Sequence, residues 1–278
     1  MMAPLACLHT ERSFYAIERL QLRVALIALA VLSVSAAPSL GDEFVVAAAA
    51  SLRNPMQQLA EAFEAQHPEI KVRLSFGASS SLARQIRLGA PIDVFVSADN
   101  RWVLDLLQRD LIAPDDHFPL AGNRLVIIAR TALDIRIESG RDLLNPRIQS
   151  IALPSAAVPL GGYARQWLDT AQVLDALEAR FVTTEHARAS VVAVEHHHAD
   201  AALVYASDAQ YAPQSKIVYR IPASEQPKIV YSVALLRSAR ALTGAKAFYR
   251  MLSSPRAADI FASAGFVSLD PQAVESSP

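Results

Sequence analysis

Hydrophobic and polar positions follow one recurring order along the chain: an apolar run, a short loop of small residues, then a stretch with helical spacing. The first unit begins at 44–50, where an unbroken apolar run predicts a buried strand. Met56, Leu59, Ala60 and Phe63 follow at the i, i+3, i+4, i+7 spacing of an amphipathic helix. Strands that alternate with helices predict α/β lobes, each a mainly parallel sheet flanked by helices.

The same unit recurs to the end of the chain. Further strands are predicted at 72–76, 92–96, 123–129, 148–153, 181–183, 201–205 and 228–236. Further helices are predicted after Asp99, which suits an N-cap, from Pro159, at 187–195, at 245–252 and at 257–264. Two proline-containing stretches, 113–119 and 213–227, are the predicted crossings between two lobes, with the last helices returning to the first lobe.

The first residues have the pattern of an export signal. Arginines precede an apolar run at 24–34, whose 11 residues are too few to span a bilayer but fit a secretory signal. Small residues at 34–36 suit cleavage, so the mature chain is expected to begin near Ala37. No later apolar run reaches transmembrane length, and the only cysteine, Cys7, lies in the leader. A periplasmic protein without disulfides and without membrane insertion is therefore expected.

These observations predict a division of the chain into four parts. They are a signal peptide at 1–36, lobe I at 44–121 plus 228–270, lobe II at 122–227 and a tail at 271–278.

Charge narrows the choice of partners. The formal net charge is −1, with 26 Lys and Arg against 27 Asp and Glu. Binding to nucleic acid or to a membrane surface needs a basic field, which this balance excludes. An anion site would have to be built locally.

Small residues fill four junctions between a predicted strand and the next helix. The junctions are Ala50-Ser51, Ala78-Ser79-Ser80, Leu160-Gly161 and 184–187. Ligands of open α/β sheets bind beyond the carboxyl ends of strands, where helix N-termini offer unpaired N–H groups and partial positive charge. The junctions contain neither Lys nor Arg, and Arg188 directly follows the last of them. An anion there would be held by neutral donors.

Six segments match a known family in order along the predicted mature chain. They are VAAAASL at 46–52, FGASSSLARQI at 76–86, GAPIDVFVSA at 89–98, VPLGGYA at 158–164, VYASDA at 204–209 and AADIF at 257–261. Together they resemble the periplasmic molybdate-binding proteins of ABC importers, which have the type II solute-binding fold with the ligand in a cleft between two lobes.

The resemblance implies that five groups hold an oxyanion. Ser51 and Ser79 supply hydroxyl and N–H donors, Leu160 and Ala187 supply backbone N–H groups, and Tyr205 supplies its hydroxyl. It implies no catalytic residue, no cofactor and no metal held as a cation, because molybdenum enters only as its oxyanion. The family usually has Ala where Leu160 stands and Val where Ala187 stands, but both contacts use the backbone.

The resemblance also implies a function. The chain is expected to be a monomeric, non-enzymatic protein that captures molybdate, and tungstate, in the periplasm for an ABC transporter permease and its ATPase. A shell of donors alone disfavours phosphate, which carries a proton at neutral pH and needs an acceptor. A binding protein for sulfate, thiosulfate or another small solute remains the alternative.

Other classes find little support in the residues. A serine hydrolase is a remote alternative, since GASSS at 77–81 fails the G-x-S-x-G pattern at Ser81 and no histidine is expected near Ser79. A transcriptional effector domain of the same fold would need a DNA-binding segment and no signal peptide.

The histidines at 196–198 lack the i, i+4 spacing of a metal site. Asp93 and Asp208 are expected to accept backbone N–H groups rather than act as bases.

Overall fold

The structure is a computed structural model that describes residues 42–269. The predicted signal peptide and the predicted tail lie outside the described residues. No helix within the described range is long and apolar enough to cross a membrane.

Ten strands form two five-stranded sheets in residues 42–269. They are β1 (Asp42–Ala49), β2 (Ile70–Gly77), β3 (Val94–Ser97), β4 (Ile112–Gly122), β5 (Leu125–Arg130), β6 (Ile151–Pro154), β7 (Phe181–Thr184), β8 (Ala201–Tyr205), β9 (Ser215–Arg220) and β10 (Val230–Leu236).

The α-helices of the same range lie between and after these strands. They are α1 (Arg53–Glu64), α2 (Ser79–Arg87), α3 (Asn100–Gln108), α4 (Pro159–Thr170), α5 (Leu174–Leu177), α6 (Ala187–Glu195), α7 (Ala206–Ala209), α8 (Thr243–Met251) and α9 (Pro255–Ser263). A 3-10 turn at Ala50–Leu52 leads from β1 into α1.

The two sheets have the same topology. Their strand orders are β2-β1-β3-β10-β4 and β7-β6-β8-β5-β9. β10 runs antiparallel to its neighbours in the first sheet, and β5 does so in the second, while the other four strands of each sheet point the same way. We call the first sheet with its helices lobe I and the second lobe II. The α/β fold with two mainly parallel sheets flanked by helices is confirmed.

Burial explains why the apolar runs became strands. β1 is a central strand with a helix on each side, so Val46, Ala47 and Ala48 are all fully buried instead of alternating between core and solvent. The predicted apolar positions of α1 also point inward: Met56 and Leu59 are fully buried, and Phe63 packs edge-on against Phe248 of α8 with ring centroids 5.3 Å apart. The last helices therefore return to lobe I.

Two predicted crossings were wrong in extent. Residues 113–119 lie inside β4, and much of 213–227 forms β9. Both strands are at sheet edges, where proline is tolerated because one side of the strand makes no ladder bonds; β4 contains Pro114 and Pro119. The chain passes between the sheets after β4 and again between β9 and β10.

Candidate functional site

A cavity of about 220 Å³, including open solvent, lies between the ends of strands and the beginnings of helices from both lobes. All five residues predicted to hold an oxyanion line it: Ser51, Ser79, Leu160, Ala187 and Tyr205. The remaining lining residues are Ala49, Ala50, Gly77, Ala78, Ala98, Val158, Pro159 and His186. The lining contains no Lys, Arg, Asp or Glu, so its chemistry is that of neutral groups.

Three of the helical segments that begin at this cavity lack a side-chain cap. Ala49 precedes the turn that leads to α1, Ala78 precedes α2 and Val158 precedes α4, and none of them makes a side-chain cap hydrogen bond. A helix beginning leaves its first N–H groups without intrahelical partners, and Ser, Thr, Asp or Asn normally satisfies one of them. Apolar caps therefore leave donors that a bound anion can use.

The hydroxyl of Ser79 is oriented by a backbone donor. Its Oγ accepts the N–H of Ala98 at 3.0 Å. With that N–H occupying an acceptor position of the oxygen, the serine hydrogen has to point to another acceptor. Because Ser79 is buried on the cavity wall, an anion in the cavity would receive it.

A buried polar chain orients the hydroxyl of Ser51. Asn123, between β4 and β5, directs its Nδ2 at the Oη of Tyr231 (3.4 Å) and at the Oγ of Ser207 (2.8 Å). Tyr231 Oη lies 2.9 Å from Ser51 Oγ. Tyr231 accepts from Asn123 and can donate its own hydrogen to Ser51, and in that arrangement the Ser51 hydrogen is free to donate into the cavity. Nothing in the sequence singled out Asn123 or Tyr231.

Tyr205 ends β8 with an unsatisfied hydroxyl. The residue is 1% exposed, and its Oη has no hydrogen-bond partner among the described residues. Burial raises the pKa of this phenol well above its ordinary value, so it stays protonated and remains a donor. A buried hydroxyl without a partner costs about 1–3 kcal/mol, which is recovered if a ligand accepts its hydrogen.

His186, from the 184–187 junction, lines the same cavity as Ser79, so the expectation that no histidine lies near that serine was wrong. Its Nδ1 accepts the N–H of Ala189 at 3.1 Å and so caps α6, which leaves the N–H of Ala187 free. Burial lowers the pKa of this half-buried imidazole, which favours its neutral form. With Nδ1 engaged by the backbone, His186 is not arranged as the oriented base of a catalytic triad.

Gly161 lets the beginning of α4 approach the preceding loop. A Cβ atom on Gly161 would lie 2.1 Å from the carbonyl oxygen of Ser155 and 2.5 Å from that of Pro154. Only glycine fits at this distance, because both neighbours are backbone atoms. Leu160, next to it, is 1% exposed and packs in the core, so its larger side chain is accommodated by the protein interior.

The expected roles of two carboxylates had different outcomes. Asp93 Oδ2 accepts the N–H of Val45 at 2.7 Å, as predicted. Asp208 does not accept a backbone N–H: it lies fully buried, with Oδ1 2.8 Å from Nε of Arg188. This contact is an ion pair without the alignment of a hydrogen bond. Burial raises the pKa of Asp208 to about 7, even though the Arg188 guanidinium lowers it.

This shift predicts a pH effect on stability. The folded protein holds the Asp208 proton up to about pH 7, whereas the ordinary value is 3.8, so the stabilisation is full below about pH 4 and is lost as the pH rises to 7. Relative to Asp208→Asn, which cannot titrate, the wild type should lose unfolding free energy, on the order of a few kcal/mol, between pH 4 and 8. Urea unfolding of both proteins across this range measures it. If the difference in unfolding free energy between the wild type and Asp208→Asn does not change with pH, the raised pKa of Asp208 is contradicted.

The histidines at 196–198 lie in the turn between α6 and β8. Within residues 42–269, no group of three or more His, Cys, Asp or Glu side chains is placed to hold a metal ion.

Two similar lobes, with a cavity between them lined by donors from both, define a solute-binding protein. The family of bacterial extracellular solute-binding proteins matches residues 44–267, and the chain belongs to it. Members of this family bind solutes and are not enzymes, which confirms the non-enzymatic prediction.

Individual relatives agree with this assignment. The chain is 37% identical over 236 residues to the molybdate-binding protein ModA of Escherichia coli (strain K12), covering 82% of this chain and 91% of that protein. Its structure is similar to the periplasmic molybdate-binding protein of Azotobacter vinelandii, with a TM-score of 0.74 and 25% identity, covering 82% and 100% of the two chains. The sulfate-binding protein SubI of Mycobacterium tuberculosis H37Rv shares the fold, with a TM-score of 0.71, 18% identity and coverage of 84% and 89%.

Proposed function

We propose that this protein captures molybdate, and tungstate, as a free oxyanion in the periplasm and delivers it to an ABC transporter. The main support is the convergence of Ser51, Ser79, Leu160, Ala187 and Tyr205, drawn from both lobes, on one cavity without a charged side chain. The choice of molybdate as the ligand is supported by relatives that are named as molybdate-binding proteins.

The cavity offers hydrogen-bond donors and no carboxylate acceptor, which favours a fully deprotonated anion. Ser51 and Ser79 can each donate a hydroxyl hydrogen, and Tyr205 has a hydroxyl without a partner among the described residues. A tetrahedral dianion accepts at every oxygen, whereas hydrogen phosphate would bring one O–H that needs an acceptor. No carboxylate lines the cavity to provide one. The shell therefore fits molybdate, tungstate or sulfate, and sulfate or thiosulfate is the second candidate ligand.

A ligand screen by thermal unfolding tests the proposal. A ligand present at about 1,000 times its dissociation constant stabilises the folded state by about 4 kcal/mol, which for a protein of this size raises Tm by roughly 10 °C. We expect shifts of this size with sodium molybdate and sodium tungstate, a smaller one with sulfate or thiosulfate, and none with phosphate. The largest shift with sulfate would favour the second candidate, and no shift with any oxyanion would contradict the proposal.

The same proposal includes the transport partners, the boundaries of the two lobes and the site of signal cleavage. A monomer with lobe I at 44–121 plus 228–270 and lobe II at 122–227 would close on the ion and then dock on a membrane permease driven by an ATPase. Removal of the signal at 1–36 would release it to the periplasm. Mass spectrometry of the exported protein tests the cleavage, with a mature start near Ala37 expected.

A further inference from the structure

Arg188 crosses from lobe II to lobe I beside the cavity. It is the second residue of α6, directly after Ala187, and its Nη2 donates to Oδ1 of Asn54 at 2.5 Å. Asn54 lies in the first turn of α1, three residues after Ser51. One side-chain hydrogen bond therefore joins the beginnings of two helical segments that reach the cavity from opposite lobes.

Lobe II holds the guanidinium firmly. Nε of Arg188 lies 2.8 Å from Oδ1 of the fully buried Asp208, and the guanidinium carbon lies 4.3 Å from the centre of the Tyr211 ring. Asp208 and Tyr211 both follow Tyr205 closely in the chain. The arginine is thus anchored on the segment that carries the tyrosine donor, and only its contact with Asn54 depends on the position of lobe I.

The chemistry of the side chain suits a bridge rather than an ion ligand. A planar guanidinium has several N–H groups fixed in a fork, so it can meet Asp208 with one edge and Asn54 with another, which a lysine ammonium cannot do in the same geometry. Nε of Arg188 lies against Asp208, and Arg188 does not line the cavity. Its contribution to binding would come through the position of the lobes.

We propose that Arg188 is a positioning residue which, by holding Asn54 across the cleft, keeps Ser51 and Ala187 at the separation at which both can donate to one oxyanion. This inference rests on the proposed function. The Arg188–Asn54 bond forms only when the lobes are together, so it stabilises the closed state and slows its opening. Its loss should raise the dissociation rate of the ion and leave the association rate nearly unchanged.

Asn54→Ala is the variant to measure, because it removes the partner in lobe I without leaving Asp208 buried alone. We expect its Kd for molybdate, measured by calorimetry, to rise about tenfold, the usual size for a hydrogen bond to a charged group. Stopped-flow fluorescence should place this change in the dissociation rate. The control is Gln57→Ala, at an exposed position of the same helix, which should stay within twofold of the wild type.

A double-mutant cycle identifies the bond itself. Arg188→Lys keeps the positive charge for Asp208 but loses the fork, so it should weaken binding about as much as Asn54→Ala. The protein with both substitutions should bind no more weakly than either single variant, because the same bond is lost in each. Full additivity, a Kd of Asn54→Ala within twofold of the wild type, or a change confined to the association rate would each overturn the proposal.

A ligand-independent measurement separates this inference from the proposed function. Spin labels on Glu61→Cys and Asp175→Cys, both exposed and on opposite lobes, report the distance between the lobes. Asn54→Ala should deplete the short-distance, closed population of the ligand-free distribution, and an unchanged closed population would contradict the role proposed for Arg188. Wild-type protein that binds none of molybdate, tungstate, sulfate and thiosulfate would instead contradict the proposed function. The label distances would still show whether the Arg188–Asn54 bond holds the lobes together.

Discussion

Replacement of both Ser51 and Ser79 by alanine is expected to weaken molybdate binding by a factor of about 10² to 10⁴. Each serine leaves a hydroxyl hydrogen for the cavity, since Ser79 Oγ already accepts from Ala98 and Ser51 Oγ lies against Tyr231. A hydrogen bond to a charged group contributes about 1.5–3 kcal/mol, and the expected range takes the loss for the pair as the sum of the two. Isothermal titration calorimetry of the two single variants and the double variant measures the loss.

The matched control is Ser80→Ala with Ser81→Ala, since both serines lie in the first turn of α2 but do not line the cavity. This pair should change Kd by less than threefold. Removal of Ser79 also leaves the Ala98 N–H without its acceptor, so urea unfolding without ligand has to accompany the titrations. Wild-type affinity in the folded Ser51→Ala, Ser79→Ala protein would remove both residues from the site.

Gly161→Ala is expected to disrupt both the fold around α4 and the binding of the ion. The new Cβ would meet the backbone oxygens of Ser155 and Pro154 at 2.1 and 2.5 Å, which no rotamer change can relieve. The helix beginning has to move away, and overpacking of this kind costs about 1–3 kcal/mol or more. Because the N–H of Leu160 moves with the helix, binding should fall at least tenfold in addition to the loss of stability.

The neighbouring Gly162 provides the control for this variant. A Cβ there would lie 3.3 Å from the carbonyl oxygen of Ala156 and 3.4 Å from Nη2 of Arg101, the end of a flexible side chain. Gly162→Ala should therefore be much milder in both thermal unfolding and calorimetry. Equal behaviour of the two variants would show that the close approach at Gly161 does not set the position of α4.

Most strands and helices could be predicted because their burial leaves a strong pattern. β8 and α6 match their predicted bounds, since a fully buried strand and a helix packed on the sheet have little tolerance for polar positions. The edge strands β4 and β9 could not be found in this way. One face or edge of each meets solvent, so they accept prolines and alternating polar residues that resemble a loop.

Only those features of the site that depend on residues close together in the sequence could be predicted. Small residues at strand ends are visible in the sequence, and the four site residues at those junctions line one cavity together with Tyr205, which only the family resemblance indicated. The groups that orient them are not visible: Tyr231 lies 180 residues from Ser51, and Asn54 lies 134 residues from Arg188. Such pairs are set by the packing of distant segments, and no spacing rule along the chain records them.

The two passages of the chain between the sheets, after β4 and before β10, have a consequence for how the protein works. A single tether would let one half swivel freely against the other. A pair of neighbouring tethers permits mainly bending about the line that joins them, so halves that open and close would do so along one path. Under the proposed function, donors brought from opposite sides would meet in the same register at each closure, and covalent connectivity would remove the entropy of finding that arrangement before an ion binds.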